Sequence, residues 1–175
     1  MKKTLLFLMF LSGCGPSPNY RVYGISVYFD DVPEVPKEQL KLLLDLTFDA
    51  FQERKGIDPQ DAFMIYHFDM IFQKRKIKSE VCDGHECSGL TTWDSSMGND
   101  KIHLILYQED CIAYSAVAHE IYHALSYHYY GDGDGKHKDA ELFDGAKRQS
   151  SAERQVYLES IHSTFLCEHF EYSKT

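Results

Sequence analysis

His119, Glu120 and His123 stand in the order His-Glu-x-x-His, with Ile121 and Tyr122 between them. On a helix, residues four apart lie one turn apart on the same face, so two imidazoles so spaced can hold one metal ion. The neutral ring nitrogen of histidine is a borderline-soft donor that suits zinc. A carboxylate between the two stands beside the open coordination position of such an ion. There it can take a proton from a metal-bound water and hand it to a leaving amine. A catalytic zinc needs three protein ligands and one free position, so the pair requires a partner.

The partner must come from beyond the helix. His128 lies nine positions past His119, about 180° round the helix, and faces away. His137 is better placed. The helix climbs about 12 Å from His123 to Gly131. The residues from Gly131 to His137 can then span up to about 20 Å, enough to fold back to the metal. Gly131, Gly133 and Gly135 ease a tight return. Asp139 is the next candidate, as a ligand or as a group orienting His137. Glu141, Glu153 and Glu159 are further carboxylates able to ligate. Asp132-Gly133-Asp134-Gly135 has a superficial likeness to a calcium loop but lacks its regular spacing and its final Glu. Tyr127 and Tyr130 lie near the His119 face of the helix and are candidates for steadying an oxyanion. His67, His85, His103, His162 and His169 have no partner at ligand spacing and read as surface or packing residues.

The elements that position these residues follow from periodicity. Val22–Phe29 is β-branched and aromatic with rough alternation, a strand. Leu40, Leu43, Leu44, Phe48 and Phe51 mark one face of a helix over Lys37–Lys55, stopped by Gly56. One or two strands fall within Ala62–Lys78, and Asp83–Gly89 reads as loop. Lys101–Tyr107 is the clearest strand. Asp110 suits an N-cap for a helix from about Cys111 to Tyr130, ending at Gly131. A last helix is expected from about Ser150 to Phe170. This order predicts an α+β fold, with helices packed on a small mixed or antiparallel sheet.

The helix of the His-Glu-x-x-His motif, flanked by Ala116, Val117, Ala118, Ala124 and Leu125 and preceded by the strand Lys101–Tyr107, resembles the active-site helix of the zincin superfamily of metallopeptidases. The resemblance covers residues 101–139, under a quarter of the chain. It implies a zincin-like fold with the motif on a central helix and Zn2+ held by His119, His123 and a third ligand. It also implies Glu120 as general base and a peptide or protein substrate. The extended metzincin pattern is not met, because Ser126 and Tyr129 occupy its later Gly and His positions. A glutamate ligand would be the gluzincin-like arrangement.

The N-terminus sets the expected compartment. Met1-Lys2-Lys3 is basic, and the apolar run Thr4–Leu11 is too short to span a bilayer, which needs about 20 residues. That describes a secretory signal peptide over residues 1–13. Leu11-Ser12-Gly13-Cys14 resembles the bacterial lipobox, which implies lipidation of Cys14 and a membrane-anchored, exported protein. Residues 14–20 form a tether and residues 21–175 a single domain. Gly15 in place of an Asp leans towards an outer-membrane location. Cys82, Cys87, Cys111 and Cys167 remain, an even number that suits disulfides in an exported chain. Of three pairings, Cys82–Cys87 with Cys111–Cys167 is preferred.

The chain carries 18 Lys and Arg against 27 Asp and Glu, a net charge of −9, which argues against nucleic acid as a partner. Nothing in it calls for an oligomer. The function expected is a membrane-tethered zinc metallopeptidase. The alternative is a surface binding or scaffold lipoprotein with a structural metal or none.

Overall fold

The computed structural model describes residues 16–59, 62, 67–75, 77–78, 86–94, 101–108, 112–134, 136–143 and 166–167. The expected signal peptide and Cys14, and with them Cys82, Cys111, Asp110, Glu153 and Glu159, lie outside the described residues.

Tyr20–Val22 (β1) and Ile25–Asp30 (β2) are an antiparallel hairpin, with Val22 opposite Ile25. The expected single strand Val22–Phe29 is therefore broken. Tyr23 and Gly24 between the two strands have φ of 50° and 80°, the pair of positive values that a type I′ hairpin turn needs. The Tyr23 hydroxyl donates to Asp45, which also pairs with Lys41.

Lys37–Lys55 (α1) has the bounds that its periodicity predicts, and Leu40, Leu43, Leu44, Phe48 and Phe51 are all buried. Gly56 ends it in the left-handed conformation at φ 66°, its N–H donating to the Gln52 carbonyl at 2.8 Å.

His67–Gln73 (β3), Ile77–Lys78 (β4), Glu86–Cys87 (β5), Gly89–Asp94 (β6) and Lys101–Tyr107 (β7) follow. The main sheet has the order β1-β2-β3-β7-β6. β2, β3 and β7 run parallel, and β1 and β6 are antiparallel edges, so the sheet is mixed. Phe68, Met70 and Phe72 on β3 and Ile102, Leu104 and Leu106 on β7 alternate into the core beneath the helices. This is an α+β arrangement, with helices packed on a five-stranded sheet. The loop expected over Asp83–Gly89 gives way at its end. Glu86–Cys87 pairs with Ile77–Lys78, and Gly89 opens β6. A two-residue bridge is stabilised by its partner strand and leaves no periodic trace.

The motif helix, Tyr114–Tyr130 (α2), starts three residues later than expected, after the short strand Ile112–Ala113 (β8). β8 pairs in parallel with Leu166–Cys167 (β9), so a continuous helix over Ser150–Phe170 is not formed at those two positions. Gly131, at φ 71°, ends α2 with its N–H on the Tyr127 carbonyl at 2.9 Å. Ala140–Phe143 (α3) is a single turn that buries Leu142 and Phe143 and packs on α1 and α2. Cys87 is disulfide-bonded. β8 begins one residue after Cys111, and β9 contains Cys167, so these two stretches of chain run side by side. No helix among the described residues is long and apolar enough to cross a membrane.

Candidate metal centre

α2 presents His119 and His123 one turn apart, and their Nε2 atoms lie 3.0 Å from each other. The loop after Gly131 returns His137 to the same point, with its Nε2 3.2 Å from that of His123. Ligand atoms of all three residues lie within 4.8 Å of one another. Two nitrogens bound tetrahedrally to one zinc at 2.0–2.1 Å are about 3.3 Å apart, so separations of 3.0 and 3.2 Å fit a shared ion.

The proton positions favour the same reading. His123 Nδ1 lies 2.6 Å from the Gly133 carbonyl oxygen, which can only accept. His123 therefore donates from Nδ1 and turns a bare lone pair on Nε2 towards the other two rings. That single in-plane lone pair cannot serve both His119 and His137 as a hydrogen-bond acceptor, whereas a cation satisfies all three rings together.

The return loop is built around Asp134. Its N–H donates to Asp132 Oδ1 at 3.0 Å, and its own Oδ1 and Oδ2 accept from the N–H groups of Lys138 and Asp139 at 2.8 and 2.7 Å. Its carbonyl accepts from the His137 N–H at 2.8 Å. Burial pushes the Asp134 carboxyl up, but the Asp139 and Lys138 N–H groups outweigh it and hold the group below its usual value. Asp134 and His137 both sit at positive φ, 50° and 51°. The bonds to Asp134 compensate that strain. This carboxylate organises the loop.

Gly133 lies beneath Trp93 of β6. A Cβ added there would meet Trp93 Cη2 at 2.3 Å, so only glycine fits. Trp93 also packs on Tyr127 of α2, ring centroids 5.1 Å apart, and so clamps loop to helix. Tyr127 is thus a packing residue, and Tyr130 is exposed at the end of α2.

Glu120 is 4% exposed and faces β6. Thr91 Oγ1 donates to Glu120 Oε2 at 2.6 Å. A Cβ on Gly89 would come within 2.5 Å of Glu120 Oε1. Burial pushes the carboxyl up to about 7, against the side-chain and backbone hydrogen bonds from Thr91 that lower it.

Asp139 is engaged elsewhere. Its Oδ2 lies 2.5 Å from Lys55 Nζ, and its Oδ1 accepts from the Glu141 N–H at 3.1 Å. Glu141 Oε2 lies 2.8 Å from the same ammonium, and its carbonyl accepts from Arg54 at 2.9 Å. Both acids thus tie the end of α1 to α3 and take no part in the histidine cluster. His103 lies on β7 beside Asp69, at 3.6 Å, apart from the cluster.

Sequence reasoning does not reach Gly89, Thr91, Trp93, the Gly133 carbonyl or Phe143 as parts of this site. The only local signal is the period-two spacing of Gly89, Thr91 and Trp93, which places all three on one face of a strand. No family model, no curated protein and no solved structure matches this chain.

Proposed function

We propose that this protein is a zincin-like, zinc-dependent metallopeptidase, exported and tethered to a membrane through lipid on Cys14. The observation that carries the proposal is the convergence of the His119, His123 and His137 ring nitrogens, on the helix that also carries the buried Glu120. Three imidazoles suit zinc and leave a fourth position open. A zinc ion there supplies a Lewis acid that makes a bound water nucleophilic near neutral pH.

The protein's own groups do the rest. His123, oriented by the Gly133 carbonyl, keeps its Nε2 lone pair on the metal side. Burial raises the Glu120 carboxyl towards neutrality, a property that suits a group that accepts a proton and passes it to the leaving amine. Thr91 holds that carboxylate on the β6 side. Among the described residues β6 is an edge of the sheet, the kind of strand to which an extended peptide can pair. The lipobox-like Leu11-Ser12-Gly13-Cys14 supports the tether.

The test is elemental mass spectrometry on the purified full chain, paired with cleavage of an unstructured protein. One zinc per chain is expected, lost in His137→Ala and kept in Glu120→Gln. Cleavage is expected to fall at least 10²-fold in Glu120→Gln. Absence of zinc in zinc-supplied protein, or full cleavage by Glu120→Gln, overturns the proposal. Cys14→Ala is expected to move the protein from the membrane fraction to the soluble one.

A further inference from the structure

The histidine cluster has a fourth ring. Phe143, on α3, lies 5.2 Å from His119, 4.6 Å from His123 and 4.8 Å from His137, centroid to centroid. It lies nearly parallel to His123, at 26°, and to His137, at 31°, and edge-on to His119, at 72°. Phe143 is 6% exposed. It has no donor or acceptor atom, so it neither ligates nor orients a ligand by hydrogen bonding.

Its side of the cluster follows from the helix. Looking down α2 from His119, His123 lies about 40° round and Glu120 about 100° round in the same sense, while Tyr122 lies about 60° in the other. Phe143 packs on Tyr122, at 6.5 Å, and Glu120 binds Thr91 of β6. Phe143 therefore lies on the Tyr122 side of the histidine pair, and Glu120 leaves the helix on the other side.

We infer that Phe143 is a positioning residue that closes one flank of the histidine cluster to water and polar side chains, so that an ion held there keeps a low coordination number. The inference rests on the three-histidine metal reading. Two physical effects support it. A buried phenyl face excludes water and every polar side chain from its flank. Its contacts with all three rings also restrict their rotation, holding the nitrogens convergent before an ion arrives. α3 is well anchored for this, through Lys55 to Asp139 and Glu141 and through Leu142, which is fully buried.

Cobalt reports coordination number directly. Four-coordinate Co2+ absorbs visible light far more strongly than six-coordinate Co2+, because a tetrahedral site lacks a centre of symmetry. The full chain in detergent is loaded with Co2+, and spectrum and affinity are compared across variants. Wild type is expected to show the intense four-coordinate bands. In Phe143→Ala the bands should weaken severalfold as water enters the vacated flank, and affinity should fall roughly 10-fold. Phe143→Leu, which keeps apolar volume and guards against a folding failure of the alanine variant, should keep the intense bands and lose about threefold or less in affinity.

Weak six-coordinate bands in wild type overturn the inference. So does a folded Phe143→Ala that keeps both spectrum and affinity. If Phe143→Ala does not fold, Phe143→Leu decides: loss of the intense bands in that folded variant also overturns the inference. Failure of wild type to bind Co2+ or Zn2+ at all overturns the metal reading itself, which separates the two.

Discussion

Thr91 donates its hydroxyl hydrogen to Glu120 Oε2 across 2.6 Å, joining the edge strand β6 to the helix of the histidine pair. The carboxyl it holds is pushed up to about 7 by burial, from an ordinary 4.5. The folded state therefore binds this proton more tightly than the unfolded chain does. Stability linked to the group is full below pH 4.5, is lost as pH rises through the window from 4.5 to about 7, and is flat above it. In metal-free protein, the stability advantage of wild type over Glu120→Gln should shrink by on the order of 2–3 kcal/mol from pH 4.5 to pH 8. Urea unfolding of both proteins across that range measures it. A difference independent of pH would mean that Glu120 titrates normally.

Gly89→Ala should separate metal binding from catalysis. The added Cβ would stand 2.5 Å from Glu120 Oε1 and 2.6 Å from its Cγ, so the carboxylate must move off Thr91. Zinc content should stay at the wild-type level, while cleavage of an unstructured protein should fall roughly 10²-fold or more. Unchanged cleavage would show that the position of Glu120 is not held by this contact.

Gly133→Ala should act through His123. Its Cβ would overlap Trp93 at 2.3 Å, so the loop must shift and carry away the carbonyl that accepts from His123. Metal affinity should drop about 10–100-fold. Trp93 is the chain's single tryptophan, so its emission reports this contact directly. A changed emission maximum together with weakened binding is expected. Wild-type affinity with displaced emission would dissociate the two.

Lys55→Met should loosen α3. Lys55 Nζ lies 2.5 Å from Asp139 and 2.8 Å from Glu141, with its side chain largely covered. Removing the ammonium leaves two carboxylates adjacent and unneutralised. A loss of about 1–2 kcal/mol in stability is expected by urea unfolding, with a smaller fall in metal affinity through His137 and Phe143. An increase in stability would show that desolvation of the ammonium outweighs its pairing.

The chain's local patterns determine much of this protein. Amphipathic spacing sets α1 at Lys37–Lys55, alternation sets β7 at Lys101–Tyr107, and Gly131 ends the motif helix. The His-Glu-x-x-His spacing places two imidazoles on one helical face, and chain reach with glycine freedom makes His137 the natural third. Each depends on neighbours within a turn or on a loop's contour length, which sequence order encodes directly. Tertiary structure alone decides the rest. β6, Thr91 and Gly89 reach Glu120 across about 30 positions of chain, and Phe143 meets all three histidines because α3 packs on α1 and α2. The hairpin break at Tyr23 and the pairing of β8 with β9 likewise depend on a turn conformation and a distant partner. Contacts of this kind are set by which surfaces pack together, and packing leaves no periodic mark on either of the segments that it joins.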